Sequence, residues 1–151
     1  MTDSMNFVQL IEDGDVAGVQ RLLAVHGESV HRHIAFERPW GEELWLPLHL
    51  AAKAGEVRIV EMILDAGGNV DGRTRFTESP TKARATALHV ACSETNVDVV
   101  RLLLQRGADV RARKADGGQP RDIAEGLIAA GHEGADEILE VIEEFEGFQG
   151  T

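Results

Sequence analysis

The sequence predicts an all-α protein made by stacking short helix-turn-helix units. Two observations carry this. The first is residues 86–110. Leu88, Ala91 and Cys92 fall at i, i+3 and i+4 after Thr86, which marks one buried helical face. Val97, Val100, Leu103 and Leu104 repeat the pattern on a second helix. Gly107 follows, where a helix commonly ends in a left-handed residue that glycine adopts without a Cβ clash. The second observation is that this pair has copies, which it needs, because two helices this short cannot bury a core alone. Leu46-Pro47-Leu48-His49-Leu50-Ala51-Ala52, followed by Val57 to Leu64 and Gly67 to Val70, is the same unit 40 residues earlier. Gln119-Pro120-Arg121-Asp122-Ile123-Ala124 opens another downstream, and Gly14-Asp15-Val16 through Leu22-Leu23 matches Gly55-Glu56-Val57 through Ile63-Leu64.

On these residues the chain resembles the ankyrin-repeat family, whose unit is about 33 residues with a Thr-Pro-Leu-His opening. The resemblance covers most of residues 4 to 146 as four units, approximately 4–27, 46–70, 86–110 and 119–146, in one domain spanning 1–151. The middle units match best; the first and last are degenerate caps. The resemblance implies a solenoid with hairpin loops, or fingers, projecting between units, and a function in binding other proteins through the fingers and the concave face.

The first unit is a helix over residues 4–12, capped by Ser4 or Asp3 and burying Phe7, Leu10 and Ile11, and a second helix burying Val16, Val19, Leu22 and Leu23. It has no Thr-Pro-Leu-His opening, as suits a cap with no unit before it. The connection that follows is long. Gly14 to Gly55 is 41 residues, eight above the repeat, and the surplus lies between His26 and Leu46. Both tryptophans, Trp40 and Trp45, are there, and Pro39 and Gly41 predict a turn around Trp40. Tryptophan is enriched at interface hot spots, so an enlarged finger bearing two is a candidate partner site. The bland alternative packs Trp45 back on the first helices. His31 and His33, with His26 or Glu37, raise a metal-dependent protein or enzyme as the alternative function. Two histidines at strand spacing without a cysteine are a weak signal, since zinc sites take three or four ligands.

In the second and third units the resemblance implies structural roles for His49, His89 and Thr86, with each histidine tying a finger base to its helix. Cys92 takes the buried small-residue position of Ala52 and reads as core. The second finger is also enlarged: His49 to His89 exceeds the repeat by about seven residues, the excess lying between Gly67 and Thr86. It carries Arg73, Arg75, Lys82 and Arg84, and the third finger carries Arg111, Arg113 and Lys114, so the fingers predict a basic ridge beside the tryptophans. Isolated solvated charges are the alternative. In the fourth unit only Pro120 of the opening motif remains, at a first-turn position. The last helix buries Ile138, Leu139, Val141, Ile142 and Phe145. Glu143, Glu144 and Glu146 crowd its end, where the helix dipole disfavours them, and Phe148 falls in a tail.

Net charge is −11, and it is uneven. After Arg121 there are nine acidic residues and no Lys or Arg; the rest of the chain holds 17 acidic and 15 basic residues. The acidity belongs to the last unit, as a solvated cap or as a docking face for a basic partner. A chain so acidic, without aromatic and basic residues interleaved in a known motif, argues against nucleic acid. No apolar run is long enough to span a membrane. The N-terminus lacks the basic start and apolar stretch of a secretory signal, so the expected location is the cytoplasm. Gly-x-Ser-x-Gly, His-Glu-x-x-His and phosphate-loop motifs are missing. The expectation is therefore a non-enzymatic, monomeric interaction module with no cofactor, an adaptor or inhibitor of another protein.

Overall fold

The computed structural model describes residues 3–39, 41–76 and 84–149. Among these, eight α-helices run in pairs along the chain: α1 (Asp3–Glu12) and α2 (Val16–Val25), α3 (Pro47–Ala54) and α4 (Val57–Asp65), α5 (Ala87–Ser93) and α6 (Val97–Gln105), α7 (Pro120–Ala129) and α8 (Ala135–Gln149). The first helices pack in series, α1 on α3 on α5 on α7, and the second helices form a parallel series, α2 on α4 on α6 on α8. This is the helix-turn-helix solenoid that the repeats predict.

The i, i+3, i+4 stripes become a core shared by neighbouring pairs. Phe7, Ile11, Ile59, Ile63, Leu88, Leu103, Ile138 and Ile142 are all fully buried. Each such side chain contributes roughly 1.5–3 kcal/mol by leaving water. Leu10, Val16, Leu23, Leu139 and Phe145, also expected inside, are only partly buried against this core. Gly18 allows α1 and α2 to close up: a Cβ there would stand 2.5 Å from Leu10 Cδ2.

The all-α expectation needs one correction. The first connection holds a 3-10 turn (Gly27–His31) and a hairpin of β1 (Ile34–Arg38) and β2 (Gly41–Trp45). β2 also pairs with β3 (Arg75–Phe76) from the second connection, giving an antiparallel sheet in the order β1-β2-β3. Alternating apolar residues on β1, and an aromatic and a leucine on β2, suit a half-covered pleated surface. Pairing joins the two connections, which sequence reading treats as separate projecting loops.

The last helix is also corrected. α8 continues through Gln149, so Phe148 is helical and not in a tail; it is exposed and stands edge-on to Phe145 at 6.1 Å. The crowded glutamates have cations beside them. Arg121 reaches Glu146 at 2.7 Å and Glu143 at 3.2 Å, and Arg101 lies 3.6 Å from Glu144. Gln149 donates to Ala108 O at 2.9 Å and accepts from Val110 N–H at 3.1 Å, fastening the helix end to the third connection.

Candidate functional site: the inner groove

The sheet overhangs the first-helix series and leaves a groove between them. Residues paired across an antiparallel sheet share a face, and faces alternate along each strand. Phe36 pairs with Glu43 and Glu43 with Phe76, while Ile34 pairs with Trp45. One face thus presents Phe36, Arg38, Glu43, Trp45 and Phe76. Opposite it, α1 contributes Ile11 and Glu12, and α3 contributes Leu50, Lys53 and Ala54; with Phe36, Arg38, Trp45 and Glu56 these line a cleft of about 540 Å³. A second cleft of about 280 Å³ shares Trp45 and Lys53 and runs on past Phe76, Val90, Glu94 and Lys114. The two clefts meet at Trp45 and Lys53, which line both.

Trp45 is the centre of it. It is half-buried and packs on the core, as the bland alternative expects, yet it also lines both clefts. Its edge contact with His49 spans 5.9 Å between centroids, and Lys53 Nζ sits 5.7 Å over the ring. Glu43 fixes the indole by accepting its Nε1–H, and the same carboxylate accepts from Arg38 Nε at 3.1 Å. Arg38 in turn lies 5.8 Å over the Phe36 ring. The groove is an aromatic floor with alternating charges, suited to apolar side chains with polar flanks.

The histidines beneath the groove are held on both nitrogens. His49 Nδ1 accepts from Leu46 N–H at 3.0 Å, and Nε2–H donates to Gly72 O at 2.9 Å. His89 repeats this with Thr86 N–H at 3.1 Å and Gly118 O at 3.0 Å. In the third pair the Thr86 hydroxyl completes a reciprocal cap with His89; Leu46 has no such oxygen. Burial pushes both imidazoles down to about 4, so they are neutral near pH 7. At the fourth pair Asp122 stands in for the histidine, accepting from Gln119 N–H at 2.8 Å, with Pro120 buried in the first turn. Cys92 is fully buried, and burial pushes its thiol up to about 12, which removes the thiolate a nucleophile needs.

The cations predicted for the partner site do not gather around Trp45. Arg75 pairs with Leu44, on the opposite face of the sheet. Arg73 spends its guanidinium on backbone carbonyls of Arg84 and Arg113, Arg113 donates to Gly117 O at 3.2 Å, and Arg111 lies 3.9 Å from Glu146. Trp40 and Lys82 lie outside the described residues. The guanidinium and ammonium groups that line these clefts with Trp45 are Arg38, Lys53 and Lys114; sequence reading set Lys114 in the basic ridge but missed Arg38 and Lys53, as it missed Phe36 and Phe76. The alternation Ile34-x-Phe36-x-Arg38, with a turn signal at Pro39, was the available clue.

The metal alternative fares no better. His31 ends the 3-10 turn and His33 precedes β1, so they do not alternate on one strand. His33 Nε2 is 3.3 Å from Arg73 O, and His26 lies 3.6 Å from Glu28. Among the described residues no three His, Cys, Asp or Glu side chains are grouped to hold a metal ion. No helix there is long and apolar enough to cross a membrane.

Comparison with known proteins agrees with the repeat pattern. The family of ankyrin repeats, in its three-copy form, matches residues 7–114. Alpha-latroinsectotoxin-Lt1a of Latrodectus tredecimguttatus is 41% identical over 78 residues, covering 52% of this chain and 5% of the toxin. The potassium channel AKT1 of Arabidopsis thaliana is 38% identical over 86 residues, 55% of this chain and 8% of the channel. Protein phosphatase 1 regulatory subunit 27 of Homo sapiens is 30% identical over 117 residues, 78% of this chain and 67% of that protein. The chain thus spans only a small part of the toxin and the channel. With paired helices stacked in two series, a histidine bonded on both ring nitrogens at the base of two connections, and a family match from residue 7 to residue 114, this chain belongs to the ankyrin-repeat family.

Proposed function

We propose that this protein is an interaction module that grips a partner protein in the inner groove, acting as an adaptor or as an inhibitor that occludes the partner's surface. The observation that carries this is that Phe36, Trp45 and Phe76, on one face of the sheet, each line an open cleft beside the first helices. Aromatic side chains in partly desolvated clefts are what interface hot spots are made of. Enlargement of the first two connections supplies these three rings, so the extra residues are the specificity element on a common scaffold. One relative is named as a regulatory subunit of a phosphatase, that is, a protein acting through an enzyme it binds. That is consistent with an inhibitor or targeting role here, exercised by a non-enzymatic chain free in the cytoplasm.

The test is affinity capture from the native cell, identification of the captured protein, and titration of that protein with variants. Phe36→Ala and Trp45→Ala together are expected to weaken binding by at least about 2 kcal/mol, as truncated hot spots do. Capture that is indifferent to both substitutions places the partner elsewhere and overturns the groove reading.

A further inference from the structure

The two ends of the small sheet differ. At the β3 end the chain returns and pairs with itself: Thr74 N–H donates to Ala85 O at 2.9 Å, and Arg84 N–H donates to Thr74 O at 2.9 Å. β1 is the other end. It bonds β2 along one side, and among the described residues no backbone or side-chain group bonds its other side. Ala35 and Glu37 are exposed, so that side is open to water. An edge strand turns every second N–H and C=O away from its neighbour, and these groups can bond one more strand.

Little in β1 turns such a strand away. Its register with β2 runs from Ile34↔Trp45 to Arg38↔Gly41 without a bulge. The strand holds no proline and no lysine, two residues that commonly block an edge. Arg38 is drawn inward to Glu43 at 3.1 Å, which leaves Glu37 as the charge along the edge that meets no cation among the described residues. The inner face of β1 borders the larger cleft, where Phe36 and Arg38 stand across from Ile11 and Glu12 of α1. Side chains alternate along a strand. A strand laid along β1 therefore continues the face that carries Phe36 and brings every second side chain to the rim of that cleft. Its other side chains fall beside Ala35, whose methyl group leaves room, and Glu37.

We propose that the outer edge of β1 takes an extended segment of the partner as a fourth strand, with apolar residues toward the cleft alternating with cationic residues toward solvent. This rests on the groove reading and names the form in which the partner enters. Main-chain bonds supply the attachment in strand addition, and alternate side chains supply the selectivity. A helical segment does not fit the edge, because its own backbone bonds are already made within the helix. Charge decides between a partner and a second copy of this chain. Net charge is −11, and a second copy brings like charge to Glu37, whereas a cationic strand brings the opposite.

The probe is acetyl-Lys-Val-Lys-Phe-Lys-Val-Lys-amide, titrated into the full chain while backbone N–H resonances are followed by NMR. Saturable shifts are expected on residues 34–38, with α4 and α6 unmoved. A peptide of the same composition in the order Lys-Lys-Val-Phe-Val-Lys-Lys keeps the charge, loses the alternation and is expected to bind several-fold more weakly. Two analogues of the parent test the backbone itself. One carries N-methyl groups on its two valines and the other on its two inner lysines, which block opposite edges of the peptide. One analogue is expected to lose at least about tenfold, because two backbone bonds go, and the other to bind like the parent. Equal binding by both analogues, equal loss in both, undiminished binding of the reordered peptide, or no saturation below about 5 mM overturns the proposal. If both analogues bind like the parent while Trp45→Ala still weakens it, the edge fails and the groove reading stands. If one analogue fails while Trp45→Ala binds normally, the edge stands and the aromatic groove fails. Sedimentation of the free chain is the remaining check: a dimer that the peptide dissociates gives the edge to a second copy and also overturns the proposal.

Discussion

Thr95 is a residue out of place. The turns between paired helices use Gly14 at φ +66 and Gly55 at φ +74, but the third pair puts a β-branched threonine there at φ +53. Its hydroxyl bonds only its own neighbour's carbonyl, Glu94 O at 2.7 Å. A left-handed threonine costs roughly 1–2 kcal/mol. Thr95→Gly is therefore expected to raise stability by about 0.5–1 kcal/mol after the entropy of an added glycine is subtracted, read as a later urea midpoint. His49 and His89 give a second prediction at this scale. Both imidazoles are pushed below the ordinary value of 6.5 to about 4 by burial. The unfolded chain then binds protons that the folded chain refuses, so stability falls as pH drops from about 6.5 through 4, by up to roughly 3 kcal/mol per histidine. Chemical denaturation at pH 7, 5.5 and 4.5 checks the slope. Substitution of His89 by asparagine is expected to flatten it while lowering the stability at pH 7.

At the scale of the element, α8 decides how the solenoid ends. It buries Ile138, Val141 and Ile142 against the preceding pair, and Arg101, Arg111 and Arg121 from α6, the third connection and α7 meet its glutamates. Exposed pairs of this kind contribute little singly, about 0–1 kcal/mol each, so burial of the apolar face holds the helix in place more firmly than its ion pairs do. Truncation after Ala130 is expected to lower the melting temperature or to aggregate, measured by calorimetry and light scattering. A monomeric truncation with an unchanged melt marks α8 as an appendage. The helices were legible in the sequence because each has its own 3.6-residue stripe and a turn residue at its end. The strands were not. β1 is five residues and β3 is two, and the pairing of β3 depends on a partner some 30 residues away, which no local pattern encodes. The same pairing decided which side chains reach the groove, so Trp45 was legible as a candidate and its neighbours Phe36, Phe76 and Lys53 were not. Arg75 shows the cost of that gap: the expectation that the two enlarged connections stand side by side placed it with the tryptophans, and the pleat turned it to the other face.

Across the whole molecule, a stacked scaffold carries a small sheet built from two of its connections. The helix series and the capping histidines hold the connections in place. The connections put aromatic rings on one side of a small sheet and Arg75 on the other. A core substitution separates scaffold from surface. Leu103→Ala is expected to cost about 2–5 kcal/mol in stability, since Leu103 is fully buried at the centre of the stack. Partner binding in the groove is tested most directly by backbone hydrogen exchange of the protein with and without its captured partner. New protection is expected on β1, β2, β3 and the C-terminal ends of α1 and α3, with α2, α4 and α6 unchanged. Protection confined to α8 or to the second-helix series, with the sheet exchanging as before, contradicts it.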